Sequence, residues 1–577
     1  MKQKAVPGHS MILGETLQPY EILVGKFSSW NIFIWAASLN NELYASLDFH
    51  SNQLRLLELL FRGYNPEQQK YLNEKLIVLA NNGFGADAFH IFHKRYLLPL
   101  IVKELRRNEQ KSKFQKGNGI EFPVLMAYLT VIDEEHAIDQ QFLDKSKNVV
   151  DEAEQEYNII WTNILRQFHF NEPTSPLVEL CKLYVLCKYS SENWPEHFAE
   201  YLASLGMKTI GHLTKSYVDI INFLQLEALN KSYRKMVDLT PGAETNKQHL
   251  DSMCCNSTFG KTDASIADLK KRPLFSFPDG RYRVVDPNFL YKHIYRGTYF
   301  NLYHTTGLSK QLTRFNEYSN TISKKVLEEL FFKAVMQSLN SDEDILITDR
   351  QEDHSPDAYM RMHDTILLIE FKAYVINDKY IDEPDFDSFK KYIQENFIRN
   401  ASGKGKGAGQ IIEQIKLLSK GLLNDDIGVK DLTDKKYHIY PIICHNDFQF
   451  GVTALNDYIN KQFQQEILNE KLPSSLIIHD LTLICLDWIV DIYLRGGNFQ
   501  SLTKMVYAYH QILEDRKKLF RPEMDTEVYL NSRSSFDEVY KNLFIHSLPN
   551  VSDNLKPFKQ FIDRLGFTDE MLSKELN

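Results

Sequence analysis

The chain contains 577 residues with a formal net charge of −9, and 43% of its residues are hydrophobic. Its length allows two to four domains, and the negative charge excludes a general attraction to nucleic acid, so such binding would need a local basic surface. With neither a signal peptide nor an apolar run near the roughly 20 residues of a membrane helix, we expect a cytoplasmic protein without a membrane partner.

Residues 1–260 form the first predicted region, which is mainly helical. In the segment 177–186, for example, apolar residues recur at three- and four-residue spacing. The stretch from Leu239 to Lys261 is polar and rich in turn-forming residues, so we expect a loop or a domain boundary there. No motif assigns this region a role.

A connecting segment, residues 261–310, is predicted to follow. It contains a hairpin from Arg272 to Val285 that turns at Asp279-Gly280, because Asp-Gly accepts the positive φ angles of a tight turn. An aromatic stretch from Phe289 to Tyr303 comes next and predicts a helix. Together they would join the helical region to the domain that follows.

Residues 311–495 contain the chemistry that the sequence predicts. A helix is expected from Ser323 to Ser338. Its apolar face consists of Leu327, Leu330, Phe331, Ala334 and Val335. On this helix Glu328 lies at the edge of the apolar face, whereas Glu329 points nearly opposite to it. A first strand is predicted from Asp344 to Thr348.

The next predicted hairpin places two carboxylates and a lysine together. We expect strands over 357–361 and 365–372, and their register sets Asp357 directly across from Glu370. Lys372 points to the same face as Glu370, because side chains alternate along a strand. Two neighbouring carboxylates repel each other, and a divalent cation such as Mg²⁺ between them removes the repulsion.

A glycine-rich loop and a helix lie further along. The loop, Gly403 to Gly409, contains Lys404 and Lys406. We expect its backbone N–H groups and its two lysines to contact nucleic-acid phosphates, with a merely flexible loop as the alternative. Gln410 and Gln414 share one flank of the following helix, where they would face a metal site or the nucleic-acid backbone.

The remaining elements complete the predicted fold class. Strands are predicted at Tyr437–Cys444 and Leu476–His479, and a helix from about Leu481 to Tyr493. The C-terminal segment, residues 496–577, is predicted to be helical and suggests no chemistry. The fold class is therefore α+β or α/β and multidomain, with a helical N-terminal region before a sheet-containing domain.

The stretch from about residue 315 to 490 resembles the PD-(D/E)XK nuclease superfamily, the fold of many restriction enzymes. The motif reads Pro356-Asp357 and Glu370-Phe371-Lys372, and the order of elements agrees with that family's αβββαβ core. The resemblance implies that Asp357, Glu370 and the Phe371 carbonyl bind Mg²⁺ or Mn²⁺, and that Lys372 positions or activates a water molecule.

Further residues are assigned through the same resemblance. Glu328 would be a third acidic member of the site, with a solvated surface glutamate as the alternative. Gln410 would orient water or phosphate. Gln414 stands where many relatives have tyrosine, so it is the weaker candidate and is assigned to nucleic-acid contact.

The implied activity is metal-dependent hydrolysis of phosphodiester bonds, and DNA is the substrate expected first. A nuclease joined to a large helical region suggests regulated cutting in bacterial restriction or antiphage defence, with a protein partner or trigger and a homo-oligomer as further expectations. Two alternatives stay open: an RNA-directed nuclease, and a binding or assembly scaffold built on an inactive nuclease fold.

Overall fold

The computed structural model describes most of the chain in separate stretches. These are residues 8–13, 19–45, 66–79, 91–109, 121–146, 157, 161, 175–229, 238–239, 246–341, 343–348, 355–376, 380, 385–421, 435–519, 526–549 and 556–566. The chain forms two compact units, one from residues 1–142 and 190–308 and the other from residues 143–189 and 309–575. Within the described stretches, no helix is both long and apolar enough to cross a membrane.

The first unit is mainly helical, with a small antiparallel sheet. Its helices are His9–Leu13, Tyr20–Val24, Ser29–Ala45, Pro66–Leu79, Lys94–Arg107, Glu121–Ser146, Pro195–Ser204, Ile210–Leu229, Lys247–Ser252, Ile266–Lys271 and Pro287–His304, with a 3₁₀ turn at Cys255–Thr258. Strands β1 (Asp238–Leu239), β2 (Leu274–Ser276) and β3 (Tyr282–Val284) pair in the order β1-β3-β2.

The predicted β2–β3 hairpin is confirmed. Leu274 pairs with Val284 and Ser276 pairs with Tyr282, and Gly280 in the turn has a φ angle of 83°. The loop predicted from Leu239 to Lys261 is wrong in its described part. The helix Lys247–Ser252 forms there because the Asn246 side chain accepts a hydrogen bond from the Gln248 N–H and caps its first turn.

The second unit is built around a six-stranded mixed sheet. Its strands are β4 (Ile345–Ile347), β5 (Ala358–Met362), β6 (Thr365–Lys372), β7 (Tyr437–His445), β8 (Leu476–Ile478) and β9 (Thr482–Cys485). The order is β4-β5-β6-β7-β8, and β9 also pairs with β7. Strands β4, β5 and β6 are antiparallel, whereas β6, β7, β8 and β9 run parallel. The chain therefore combines helices and sheet, as the predicted fold class requires.

Helices cover this sheet and extend to the C-terminal part of the chain. They are Pro176–Asn193, Leu308–Gln311, Phe315–Thr321, Lys333–Leu339, Phe386–Ile393, Ala408–Ser419, Leu455–Leu468, Leu486–Leu494, Phe499–Leu519, Thr526–Asn531, Phe536–Asn542 and Lys556–Arg564, with π-helical turns at Ile322–Phe332 and Gln394–Ile398 and 3₁₀ turns at Phe448–Phe450 and Phe544–Ser547. Both faces of β6 are buried, since Ile366, Leu367, Leu368 and Ile369 are all 0% exposed.

Two sequence predictions for this unit are corrected. The segment 482–485 is strand β9, and the helix predicted from Leu481 begins only at Leu486; a short run buried on both faces has no periodicity to separate strand from helix. The helix predicted from 323 to 338 is π-helical from Ile322 to Phe332. Because a π turn holds more residues than an α turn, Leu330 is 43% exposed and Phe332 fully buried.

Candidate active site

The β5–β6 hairpin has the predicted register. Met362 pairs with Thr365, and Ala358 pairs with Ile369. His363 in the turn has a φ angle of 54°, and its carbonyl accepts a 2.8 Å hydrogen bond from Arg361 Nη1. Continuing this register by one residue places Asp357 opposite Glu370.

Asp357 is fixed at the end of the hairpin by the backbone of β6. Its Oδ2 accepts a 2.7 Å hydrogen bond from the Phe371 N–H. In an extended strand the N–H and C=O of one residue point to the same side. The Phe371 carbonyl is therefore directed toward Asp357, where it can serve as a further oxygen ligand.

Glu370 is fully buried and holds two neighbouring side chains in place. Its Oε2 accepts a 2.9 Å hydrogen bond from Lys372 Nζ, and its Oε1 accepts one from Gln414 Nε2. The other side-chain atom of Gln414, Oε1, is buried without a hydrogen-bond partner in the described part of the structure. A buried acceptor without a partner is costly.

The electrostatics of this cluster favour additional positive charge. Burial raises the pKa of Glu370 to about 7, with the Asp357 charge adding to the effect, and burial also raises the pKa of Asp357. For Lys372, burial acts to lower the pKa, but Glu370 and Asp357 outweigh it and the pKa is raised. Lys372 is therefore an ammonium at neutral pH, suited to positioning water or offsetting negative charge.

Glu328 and Glu329 have different surroundings. Burial raises the pKa of Glu328, and the Asp357 charge is the next cause. Glu328 therefore lies within electrostatic range of Asp357. Glu329 instead makes a 2.8 Å ion pair with Lys325 on the helix surface. The structure thus brings Glu328, and not Glu329, toward the site.

The structure reverses the ranking of Gln410 and Gln414 as site residues that the sequence suggests. Gln410 Oε1 accepts a 3.1 Å hydrogen bond from the Gly407 N–H, so this side chain caps its own helix. Gln414 is 0% exposed and bonded to Glu370. A fully buried side chain offers no surface to nucleic acid in this structure, and Gln414 instead contacts Glu370 in the interior of the candidate site.

The glycine-rich loop also differs from the prediction. The N–H groups of Gly403, Lys404, Lys406 and Gly409 donate to Asn400 O, Asn400 Oδ1, Ile398 O and Lys406 O. These donors are therefore used within the loop and do not form the expected phosphate cradle. Lys404 remains exposed and Lys406 is half-buried, so only the lysine side chains are available for a phosphate contact.

The donor set fits a hard divalent cation. Three carboxyl groups, those of Asp357, Glu370 and Glu328, surround one buried ammonium, Lys372. Mg²⁺ takes oxygen ligands in octahedral geometry and usually keeps several waters, and Asp357 and Glu328 are both partly exposed. Asp357, Glu370 and the Phe371 carbonyl are the groups that would hold the ion.

Comparisons with known proteins identify no relative. No family model, no curated protein and no solved structure matches the chain.

Proposed function

We propose that the second unit is a metal-dependent nuclease that hydrolyses phosphodiester bonds, with DNA as its first expected substrate. The observation that carries the proposal is the buried contact of Glu370 with Lys372, next to Asp357 at the end of the β5–β6 hairpin. A structural hairpin gains nothing from two carboxyls whose pKa values are raised by burial. A divalent cation held between such carboxyls offsets their repulsion, and perturbed carboxyls of this kind are common at functional sites.

Each residue has a role that its contacts support. A bound Mg²⁺ would supply a Lewis acid for the scissile phosphate and lower the pKa of a bound water. Asp357 and Glu370 hold the site's negative charge, and the Asp357 carboxylate is oriented by the Phe371 N–H. Gln414 fixes the Glu370 carboxylate, and its free Oε1 can accept a hydrogen bond from water.

Lys372 acts as a cation in this proposal. In the metal-free chain the Glu370 and Asp357 charges outweigh burial and raise its pKa, which favours the ammonium over a neutral amine that would take a proton from water. As an ammonium, it can hold the attacking water or stabilise charge that develops on the phosphate. Glu328 lies where it can complete the acidic set, and exposed Lys404 is available to a phosphate further along a bound strand.

The test is a cleavage assay with linear, circular and single-stranded DNA and with RNA, each in Mg²⁺, Mn²⁺ or EDTA. We expect cleavage that needs the metal and that Lys372→Met lowers by roughly 10²–10³-fold, the loss typical when one charge-stabilising donor is removed. Glu328→Gln should lower activity by roughly 10–100-fold. Glu329→Gln is the matched control on the same helix and should leave the rate unchanged.

Different outcomes of the assay separate the alternatives. Cleavage of circular DNA would show endonuclease action, and cleavage of RNA alone would assign an RNA-directed nuclease. If wild-type protein cuts no substrate and isothermal titration shows that it binds neither Mg²⁺ nor Mn²⁺, the proposal is wrong. If it cuts but Lys372→Met cuts equally well, the activity resides elsewhere in the chain.

A further inference from the structure

A second group of metal-ligating side chains lies in the second unit, on residues that the proposed nuclease site does not use. His445 ends β7, Cys485 ends β9 and Asp537 lies in the helix Phe536–Asn542. One ligand atom from each lies within 4.8 Å of the others, and all three residues are buried. His445 and Cys485 are brought together by the pairing of β7 with β9, and Asp537 joins them from a helix 52 residues beyond Cys485.

Several polar atoms of this cluster are poorly satisfied. Among the residues that the structure describes, neither His445 ring nitrogen nor Asp537 Oδ2 has a hydrogen bond of normal geometry. The Asp447 backbone makes only a weak contact with the His445 ring, and the Trp488 side chain only a weak contact with Asp537. His445 Nε2 lies 3.9 Å from Asp537 Oδ2. The other Asp537 oxygen, Oδ1, accepts a 3.2 Å hydrogen bond from the Cys485 N–H. That bond orients the carboxylate and leaves Oδ2 directed into the cluster. Buried side-chain polar atoms are normally satisfied, and a bound cation would satisfy these atoms more fully than their weak contacts do.

The Asp537 carboxylate packs closely against Gly451, which holds it in position. A Cβ atom added to Gly451 would lie 2.3 Å from Asp537 Oδ2. Any larger residue at this position would therefore displace the carboxylate. His445 and Cys485 are paired neighbours on β7 and β9, and their side chains consequently point to the same face of the sheet.

We infer that His445, Cys485 and Asp537 form a structural site for a zinc-like divalent cation. Zn²⁺ accepts nitrogen, sulfur and oxygen ligands, whereas a hard ion such as Mg²⁺ would not select a thiolate. A divalent ion with one thiolate, one carboxylate and one neutral imidazole carries no net charge, which suits a buried position. Burial favours the neutral form of all three groups, since it lowers the pKa of His445 to about 4, raises that of Asp537 to about 8 and raises that of Cys485. Metal binding would therefore displace the protons of Cys485 and Asp537.

The geometry needs only a small closure to bind the ion. Ligand atoms at about 2.0–2.3 Å from Zn²⁺ in a tetrahedron lie roughly 3.3–3.6 Å apart. In the present structure His445 Nε2 and Asp537 Oδ2 are 3.9 Å apart, and all three ligand atoms lie within 4.8 Å of one another, so side-chain rotation would have to bring them closer. The ion would fasten the ends of β7 and β9 to the helix Phe536–Asn542, with a fourth ligand from water or a neighbouring backbone carbonyl.

The first test measures metal in the purified full-length protein by elemental analysis, after dialysis with a weak chelator. We expect about one zinc per chain in wild type and in Cys444→Ala, and less than a tenth of that in Cys485→Ala. Cys444 is the matched control, since it is a buried cysteine next to His445 whose side chain points to the opposite face of β7. Glu370→Gln should keep its zinc, which separates this site from the proposed nuclease site.

A second measurement does not depend on how well the variants fold. Stripped wild-type protein is titrated with Co²⁺, and we expect a thiolate-to-cobalt charge-transfer band together with the visible bands of tetrahedral Co²⁺. The inference is overturned if stripped wild type shows no such band, or if Cys485→Ala retains as much zinc as Cys444→Ala.

Discussion

At the scale of single residues, Glu370 combines burial with an adjacent negative charge. Its pKa is about 7 in the folded chain, against an ordinary value of 4.5. Between these two values the folded state binds more protons at this site than the unfolded state does. The contribution of Glu370 to folding is therefore most favourable at low pH, and it is lost as the pH rises from about 4.5 to 7.

We expect Glu370→Gln to stabilise the metal-free protein and abolish its activity. The neutral amide keeps the size of the side chain but removes a buried negative charge, so above pH 7 the free energy of unfolding should rise by about 1–3 kcal/mol. Below pH 4.5 the gain should vanish, because Glu370 is then protonated in both states. Urea denaturation of the two proteins at pH 4.5, 6 and 8, with EDTA, measures this difference.

Added Mg²⁺ provides the control for that experiment. Because a ligand that binds only the folded state stabilises it, Mg²⁺ should raise the unfolding midpoint of wild type at pH 8 and leave that of Glu370→Gln unchanged. Destabilisation of Glu370→Gln at every pH would instead mean that the Lys372–Glu370 ion pair stabilises the fold. Burying the ionised Glu370 carboxylate would then carry no free-energy cost for a metal to offset.

At the scale of elements, the direction of each side chain is predicted well from the sequence where one side-chain periodicity holds along the whole element. The hairpin register follows from the alternation of side chains, and it places Asp357, Glu370 and Lys372 together without further information. Where the period changes, prediction fails. The π turns at Ile322–Phe332 rotate Leu330 outward. An α-helical wheel assumes a fixed number of residues per turn and cannot predict that rotation.

The helix Ala408–Ser419 shows the same limit for polar residues. Gln410 and Gln414 lie on one flank of it, so periodicity alone cannot separate them. The difference arises at the helix N-terminus, where the Gly407 N–H lacks an intrahelical partner and takes the Gln410 side chain as its acceptor. Gln414, one turn further on, is left to contact Glu370.

Matched substitutions on this helix should separate the two roles. We expect Gln414→Met to weaken Mg²⁺ binding and lower the cleavage rate by roughly 10–100-fold, because Glu370 loses a hydrogen bond that orients it. Gln410→Met should change the rate by less than about threefold and cost about 1 kcal/mol of stability, the usual value for a lost helix cap. Metal titrations and cleavage rates of the two variants check this. A larger rate loss in Gln410→Met would restore the original assignment of Gln410.

At the scale of the whole molecule, the second unit is assembled from two separate parts of the sequence, residues 143–189 and 309–575. Trp161 is buried in its core, where its ring packs against Phe386, Phe389 and Tyr458. Tyr157 donates a 2.8 Å hydrogen bond to Asp457 Oδ2. The sequence shows that these aromatic residues belong in a core, but local periodicity does not show which one.

We therefore expect the fragment 309–577 to be unstable without residues 143–189. Loss of the Trp161 ring alone should cost about 3–5 kcal/mol, the usual effect of removing a buried aromatic side chain, and this is a large share of the stability of an ordinary domain. In the full chain, Trp161→Ala should lower the unfolding midpoint of the second unit, whereas Trp161→Phe should recover part of the loss. Urea denaturation followed by near-ultraviolet circular dichroism measures the unfolding midpoint of each variant and of the fragment, alone and mixed with a 143–189 peptide.

If the fragment alone unfolds at the midpoint of the second unit in the full chain, residues 143–189 are not part of its core. Recovery on adding the peptide would show that the sheet bearing Asp357, Glu370 and Lys372 depends on a segment about 200 residues away in the sequence.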